Sequence, residues 1–104
     1  MPKNAYVLRS LQKFGRDLRS ARMRRRLPSS VVAERAGISR NTLLGIENGS
    51  GGVSLANVAA ALYALGLLER FDELADQRND SVGLLLDEER LPRKAYKTRE
   101  HAHE

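Results

Sequence analysis

The chain of 104 residues contains no cysteine, so neither a disulfide framework nor a thiolate metal site can form. Its longest apolar run, Val58–Leu68, covers eleven residues, whereas a membrane-spanning helix needs about 18. The first ten residues hold no apolar stretch of signal-peptide length. These absences argue against a disulfide-rich or membrane-bound protein. They predict a cytoplasmic chain with one folded domain, no metal and no cofactor.

Groups that could perform catalysis are also scarce. Both histidines, His101 and His103, lie in the last four residues, and neither a glycine-rich phosphate loop nor an HExxH motif is present. An enzyme is therefore not expected. Aromatic residues are few, and Phe14, Tyr63 and Phe71 are predicted to lie in core helices. Proteins that bind single-stranded nucleic acid stack bases on exposed aromatics, so that class is disfavoured.

Charge is distributed unevenly along the sequence. Residues 1–50 carry eleven Lys/Arg against three acidic residues, a net charge of +8, whereas residues 51–104 carry a net charge of −3. A basic half joined to a mildly acidic half indicates an anionic partner for the first half, and nucleic acid fits best. A solvated basic face is the alternative.

Apolar residues recur at helical spacing through most of the first 76 residues, and no alternating strand pattern is present. The spacing predicts five helices. The first covers about residues 8–26, and the second begins at a cap formed by Ser29 or Ser30 and is ended by Gly37. The third is Arg40–Asn48, and the fourth runs from the cap Ser54 through Leu65. The fifth carries Leu67, Phe71, Leu74 and Ala75. In the fourth helix the expected buried residues are Leu55, Val58, Leu62 and Leu65. The predicted fold is an all-α domain over residues 1–76 with a C-terminal extension over residues 77–104.

The extension contains an apolar cluster whose secondary structure the sequence leaves open. Asp80 could cap a helix that ends at Arg90, or the cluster could form a short strand, since brief apolar runs fit both. From Arg93 onward the chain is polar, and we expect disorder or folding on a partner. The cluster is either part of the core or a dimer or partner surface, which its hydrophobicity favours. Its contact residues would be Val82, Leu84, Leu85 and Leu86.

The segment SSVVAERAGISRNTLLGIENG has the pattern of two short helices joined by a turn that contains glycine. This is the arrangement of a helix-turn-helix, whose second helix lies in the DNA major groove. With Ile38, Leu43 and Ile46 facing inward, the remaining residues of the second helix face outward.

The outward residues are of the types that read bases. Arg40 can donate two hydrogen bonds to guanine, Asn41 can form two hydrogen bonds with adenine, and Thr42 can reach a base or a phosphate. The amino ends of helices are natural phosphate sites. The candidate phosphate contacts at such positions are Ser29, Ser30, Ser39 and Ser54, and Asn48, at the carboxyl end of the second helix, could add a further contact.

Glu47 falls on the inward face of the same helix, beside Leu43. A buried carboxylate requires a cation. Arg22 lies one turn after Leu18 on the inward face of the first helix, so we predict a structural Arg22–Glu47 ion pair. The alternative is that both side chains are solvated.

Over about residues 10–76, the sequence resembles the Cro/CI (XRE) family of bacterial and phage repressors. The resemblance implies a five-helix lambda-repressor-like domain that binds palindromic operators as a homodimer. It places the family's buried arginine–glutamate pair on Arg22 and Glu47 and its base contacts on Arg40, Asn41 and Gly45. Two departures stand out: Pro28 and Ser29 replace a polar cap and a glutamine, and Leu44 and Gly45 replace longer polar residues. Leu44 would then contact a thymine methyl group.

The stretch ALGLLERFDELADQRNDSVGLLLDEERLPRKA is similar to C-terminal extensions of HipB-type antitoxins. That resemblance implies a repressor of its own operon that also binds a HipA-like kinase toxin. Two alternatives remain. One is a repressor of the same family without a toxin, and the other is a protein-interaction adaptor that binds DNA weakly.

Overall fold

The computed structural model describes residues 4–91, and the chain divides after Phe71 into two units. The first unit contains α1 (Ala5–Arg24), α2 (Ser29–Ala36), α3 (Arg40–Glu47) and α4 (Leu55–Ala64), and α5 (Leu68–Asp72) spans the division. The second contains a 3-10 turn (Gln77–Asn79) and α6 (Ser81–Arg90). The described residues form no strand, which confirms the all-α fold class. The division lies before the boundary after Asp76 that the sequence suggested.

Helix α1 begins three residues earlier than the spacing indicated. The Asn4 side chain accepts a hydrogen bond from the Tyr6 N–H at 2.6 Å and so caps the first turn. Tyr6, Val7 and Leu8 are exposed, so the first turn adds nothing to the buried periodicity from which the start was inferred. At the other end the helix stops at Arg24, and Arg26 adopts a left-handed backbone conformation with φ of 55°.

The prediction that Ser29 or Ser30 caps α2 is wrong, because Pro28 occupies the cap position. The Pro28 carbonyl accepts hydrogen bonds from the N–H groups of Val31 and Val32 at 3.1 and 3.2 Å. A proline at the start of a helix loses no hydrogen bond, since its missing N–H would have no partner inside the helix. Ser29 is therefore the first helical residue, and its hydroxyl is available for another contact.

The core of the first unit lies where α1, α2, α3 and α4 meet. It consists of Leu18, Ala21, Val32, Ala33, Leu43, Ile46, Ala61, Leu62 and Leu65. Phe14, Ile38 and Phe71 are among the partly buried residues that pack around it. Small residues such as Ala33 and Ala61 allow the short helices to approach closely, which surrounds Leu43 and Val32 completely.

Two residues expected inside the core, and a third from the predicted fifth helix, are exposed. Leu55 and Tyr63 of α4 are 68% and 67% exposed, and Leu74 after α5 is 73% exposed. Leu55 shares the helix face of Leu62 but lies at the first residue of α4, two turns from the buried part of that helix. Tyr63 follows Leu62 by about 100° of rotation, which turns it toward solvent.

The apolar cluster of the extension is helical, which resolves the choice between a helix and a strand. The Asp80 side chain caps α6 by accepting a hydrogen bond from the Gly83 N–H at 3.0 Å. Val82, Leu84, Leu85 and Leu86 are all exposed, so they are not part of a core. The polar tail from Arg93 onward, expected to be disordered or to fold on a partner, lies outside the described residues.

Gly15 lies in the middle of α1, where glycine is unfavourable by roughly 0.5–1 kcal/mol relative to alanine. Its position is explained by the close approach of α1 to α3. A Cβ atom at residue 15 would lie 2.5 Å from the carbonyl oxygens of both Ile46 and Glu47, which no side chain can tolerate. Only glycine allows the carboxyl end of α3 to rest on the backbone of α1.

Candidate nucleic-acid interface

The turn between α2 and α3 is three residues long, from Gly37 to Ser39. Gly37 ends α2 in the left-handed conformation, with φ of 72°, which glycine adopts without strain. The next N–H, of Ile38, donates to the Ala33 carbonyl at 3.0 Å. Ser39 then caps α3 by accepting from the Thr42 N–H at 3.0 Å. The conformation of the turn is thus fixed by the left-handed Gly37, the hydrogen bond of the Ile38 N–H and the cap formed by Ser39.

Helix α3 buries one face and exposes the other. Leu43, Ile46 and Glu47 are buried. The outward side begins at the amino end, where Arg40 and Asn41 are exposed. The other residues predicted on that side are Thr42, Leu44 and Gly45, which are partly buried, and Asn48, which is exposed. We call Arg40, Asn41, Thr42, Leu44 and Gly45 the reading face.

An ion pair between Arg22 of α1 and Glu47 of α3 lies beneath this helix. The Arg22 Nε donates to one Glu47 carboxylate oxygen at 2.7 Å, and its Nη2 donates to the other at 3.0 Å. The third nitrogen, Nη1, donates to the Leu27 carbonyl at 3.1 Å in the connection to α2. The two side chains are only 12% and 3% exposed. One guanidinium therefore joins α1, the α1–α2 connection and α3.

The hydrogen bond to Glu47 raises the pKa of Arg22 above its ordinary value, and burial opposes this only in part. A raised folded-state pKa means that the stabilisation is fully present below the ordinary arginine pKa. It would be lost only as the pH rises through the still higher folded value. Deprotonation of Arg22 therefore does not break the pair at any pH at which proteins are normally handled.

A second contact, which no sequence pattern indicates, joins the two helices of the motif. The Arg40 Nε donates to the Ser29 hydroxyl at 3.0 Å, so a predicted base-reading residue and a predicted phosphate contact are hydrogen-bonded to each other. A guanidinium has five N–H donors. With Nε engaged, Arg40 keeps its two terminal nitrogens for another partner. The sequence pattern favours Ser29 as a helix cap, and nothing in that pattern links Ser29 to Arg40.

The other predicted contact residues lie at helix ends. Ser30 is exposed in the first turn of α2, and Asn48 is exposed at the carboxyl end of α3. Ser54 caps α4 by accepting from the Asn57 N–H at 3.1 Å. The Ser39 hydroxyl donates to the Thr42 hydroxyl at 2.8 Å, which turns Thr42 back toward the cap. The Ser39 and Ser54 hydroxyls therefore already form hydrogen bonds that cap helices.

The fold and the turn define a helix-turn-helix protein. The family profile of the helix-turn-helix domain matches residues 13–74, more than half of the chain, and the protein belongs to that family. Membership indicates a DNA-binding regulator. The match includes Arg22, Glu47 and all of α2 and α3, and it ends before α6. No curated protein sequence matches the chain significantly. Within residues 4–91, each helix is too short or too polar to cross a membrane.

Two substitutions test whether α3 depends on its contact with α1. Glu47→Gln leaves the Arg22 charge buried without a counter-charge, and we expect the free energy of unfolding to fall by about 3 kcal/mol. Gly15→Ala forces α1 and α3 apart, and we expect a loss of about 2 kcal/mol. Urea denaturation monitored by circular dichroism measures the free energy of unfolding of both variants.

Each substitution has a control of the same chemical kind. Asp17→Asn removes a carboxylate from the exposed Lys13–Asp17 pair and should change stability by less than about 0.5 kcal/mol. Gly45→Ala lies in α3, where a Cβ would meet only ordinary contacts at 3.8 and 3.9 Å, and it should not destabilise the protein. If each variant and its control changed the free energy of unfolding equally, the contact between α1 and α3 would not be what holds α3 in place.

Proposed function

We propose that the protein is a sequence-specific repressor that binds double-stranded operator DNA through α3. The observation that carries this proposal is the orientation of α3. Its buried face is held by Arg22, while Arg40 and Asn41 are exposed at its amino end. In a helix-turn-helix, the amino-terminal residues of the second helix contact base edges. The net charge of +8 on residues 1–50 complements the DNA backbone.

The roles of the reading face follow from its side chains. Arg40 would contact guanine, Asn41 adenine, and Leu44 a thymine methyl group. Thr42 accepts a hydrogen bond from the Ser39 hydroxyl, and its own hydroxyl would donate to a base or a phosphate. Gly45 has no side chain with which to read a base, so it would only permit close approach of the DNA. Most of the discrimination between sequences therefore falls on Arg40 and Asn41.

Phosphate contacts would fix the position of α3 along the DNA. The proposed contacts are Ser29, Ser30, Ser39, Asn48 and Ser54. Ser29 has a special place among them, since a hydroxyl can accept one hydrogen bond and donate another. It can accept from the Arg40 Nε and still donate to a phosphate. The guanidinium would then be held with both terminal nitrogens directed at the base.

The first test compares binding to DNA from the protein's own promoter region with binding to scrambled duplex, at about 50 and 200 mM salt. We expect a preference of about a thousandfold. The variant Arg40→Ala with Asn41→Ala should reduce the preference by about a hundredfold, because it removes two bidentate contacts. Fluorescence anisotropy measures both affinities.

The matched control for this variant is Arg70→Ala with Gln77→Ala, which removes the same kinds of group at exposed positions outside the motif. It should retain the preference. Equal, weak binding of the unaltered protein to both duplexes would instead favour the adaptor hypothesis.

The second test concerns Ser29. Ser29→Ala removes the acceptor that holds Arg40, so discrimination at the base pair that Arg40 reads should fall by about tenfold. Ser30→Ala, one residue away, should weaken binding to all sequences alike without changing discrimination. Binding to a panel of single-base operator variants separates these outcomes. A uniform loss of affinity in Ser29→Ala would mean that Ser29 contacts phosphate only.

We further propose that α6 binds a protein partner. Val82, Leu85 and Leu86 fall on one side of α6 at helical spacing, and Leu84 lies on another side; all four are exposed. Exposed apolar surface of this kind marks interaction sites. The resemblance to HipB-type antitoxins suggests a second copy of the chain, giving a homodimer on a palindromic operator, together with a HipA-like kinase toxin. Cytoplasmic location fits both partners.

Replacing Val82 and Leu85 by glutamate should abolish the dimer or the complex with a co-expressed kinase-like toxin encoded beside it. Charged groups would occupy the centre of the contact, where they cannot be solvated. Sedimentation equilibrium measures the dimer, and co-purification measures the toxin complex. Gln77→Glu with Ser81→Glu adds the same charge and should change neither. Unchanged assembly in both variants would exclude α6 as the partner surface.

A further inference from the structure

Helix α1 carries a row of cations on the face that points away from the core. The row consists of Arg9, Lys13, Arg16 and Arg24, all exposed, and we call it the outer basic stripe. The spacing of four, three and eight residues keeps these side chains on one side of the helix. With a rise of 1.5 Å per residue, the stripe is about 22 Å long.

Little opposes this positive charge. Asp17, the single acidic residue of α1, pairs with Lys13 at 2.6 Å. The Arg9 guanidinium lies over the Tyr6 ring, 5.0 Å from its centre, an interaction that leaves the positive charge intact. Arg22, in contrast, is neutralised by Glu47 on the inward face of the same helix. Four cations against the one carboxylate of Asp17 leave the stripe with a net charge of +3.

The stripe lies on the side of α1 that is away from α3. α1 directs Gly15 and Arg22 toward α3, and the stripe lies on the opposite face of α1. On α3, Asn41 and Gly45 lie opposite the face that carries Ile46 and Glu47 toward α1, and Arg40 is exposed at the amino end. Both helices therefore lie between the stripe and a duplex in contact with Asn41 and Gly45.

The chemistry of the surface favours a nucleic-acid backbone over an acidic protein. Most exposed residues between the cations are polar, including Gln12, Asp17 and Ser20. Protein interfaces usually have an apolar or aromatic centre, whereas the exposed Tyr6 and Met23 lie at the two ends of this face. Double-stranded DNA presents one negative charge per 1.7 Å of its axis, so a 22 Å stripe would lie along about six base pairs.

We propose that the outer basic stripe binds the backbone of a second DNA duplex without sequence preference, so that one molecule joins two duplexes. The choice of DNA rests on the proposed function, because operator binding places the protein at a high local concentration of duplex. The stripe is a separate surface with its own contacts. Its effect should appear as strongly salt-dependent capture of unrelated DNA.

The experiment immobilises promoter duplex, adds the full-length protein, and measures retention of a fluorescent unrelated duplex. The variant Arg9→Gln, Arg16→Gln and Arg24→Gln removes three stripe cations. We expect it to retain at least about tenfold less second duplex at 50 mM salt, because three phosphate contacts are lost. The control variant Arg70→Gln, Arg78→Gln and Arg90→Gln lowers the net charge equally, at exposed positions outside the stripe. It should still capture, and the two variants should bind the promoter duplex equally.

Four outcomes would overturn the proposal. Absence of capture by the unaltered protein, or equal capture by the two variants, would show that the stripe joins no duplexes. A parallel loss of promoter affinity and capture in the stripe variant alone would place the stripe on the same duplex as α3. Stripe-dependent binding of polyglutamate without duplex capture would identify an acidic protein as the partner.

Failure of the proposed function would have a different result. The protein would then show no preference for promoter over scrambled duplex. Capture can still be measured with scrambled duplex on the surface, and the comparison between the stripe variant and its control remains valid.

Discussion

The position of α3 depends on one buried interaction, the bidentate ion pair between Arg22 and Glu47. Two hydrogen bonds fix the rotation of α3 about its axis, and a third, to the Leu27 carbonyl, ties the same guanidinium to the connection before α2. A buried pair of this kind often adds little stability compared with well-packed apolar side chains. Its contribution is orientation. With the carboxylate facing Arg22, Asn41 is directed to solvent, and Arg40, two turns before Glu47 on the same side of α3, is exposed because it lies at the amino end of the helix.

Close backbone contact reinforces the pair. Without a side chain at Gly15, the carboxyl end of α3 rests on α1. This brings Glu47 within reach of Arg22, which lies two turns after Gly15 on the same face of α1. At the other end of α3, Ser39 caps the helix and Ser29 holds Arg40. Both ends of a helix only eight residues long are thus held by specific contacts. Such a short helix would not be stable alone, because its few internal hydrogen bonds cannot offset the cost of nucleation.

The fold places the cations of the first unit in three different environments. Arg22 is buried and neutralised, Arg40 is exposed but already hydrogen-bonded, and the cations of the outer basic stripe are exposed on the opposite side of α1. The sequence shows only a basic first half, and the same net charge would suit a single broad surface. The fold divides it into two surfaces that face in different directions, which is the basis for proposing two contacts with DNA. The apolar surface of α6 is a third candidate site, and it lies outside the matched domain.

The sequence by itself determined the helical class, the turn at Gly37 and the inward face of α3, because helical spacing and glycine conformation are local properties. It also indicated that Glu47 needs a cation, since a buried carboxylate is costly wherever it lies. Only the tertiary structure decided which residues lie at the limits of the core. Leu55 and Tyr63 have suitable residue types but sit beyond or beside the buried part of α4. The contacts of Gly15 with α3 and of Ser29 with Arg40 join residues eleven or more positions apart. Such contacts depend on how helices cross, and this is set by the packing of all four helices together rather than by any one segment.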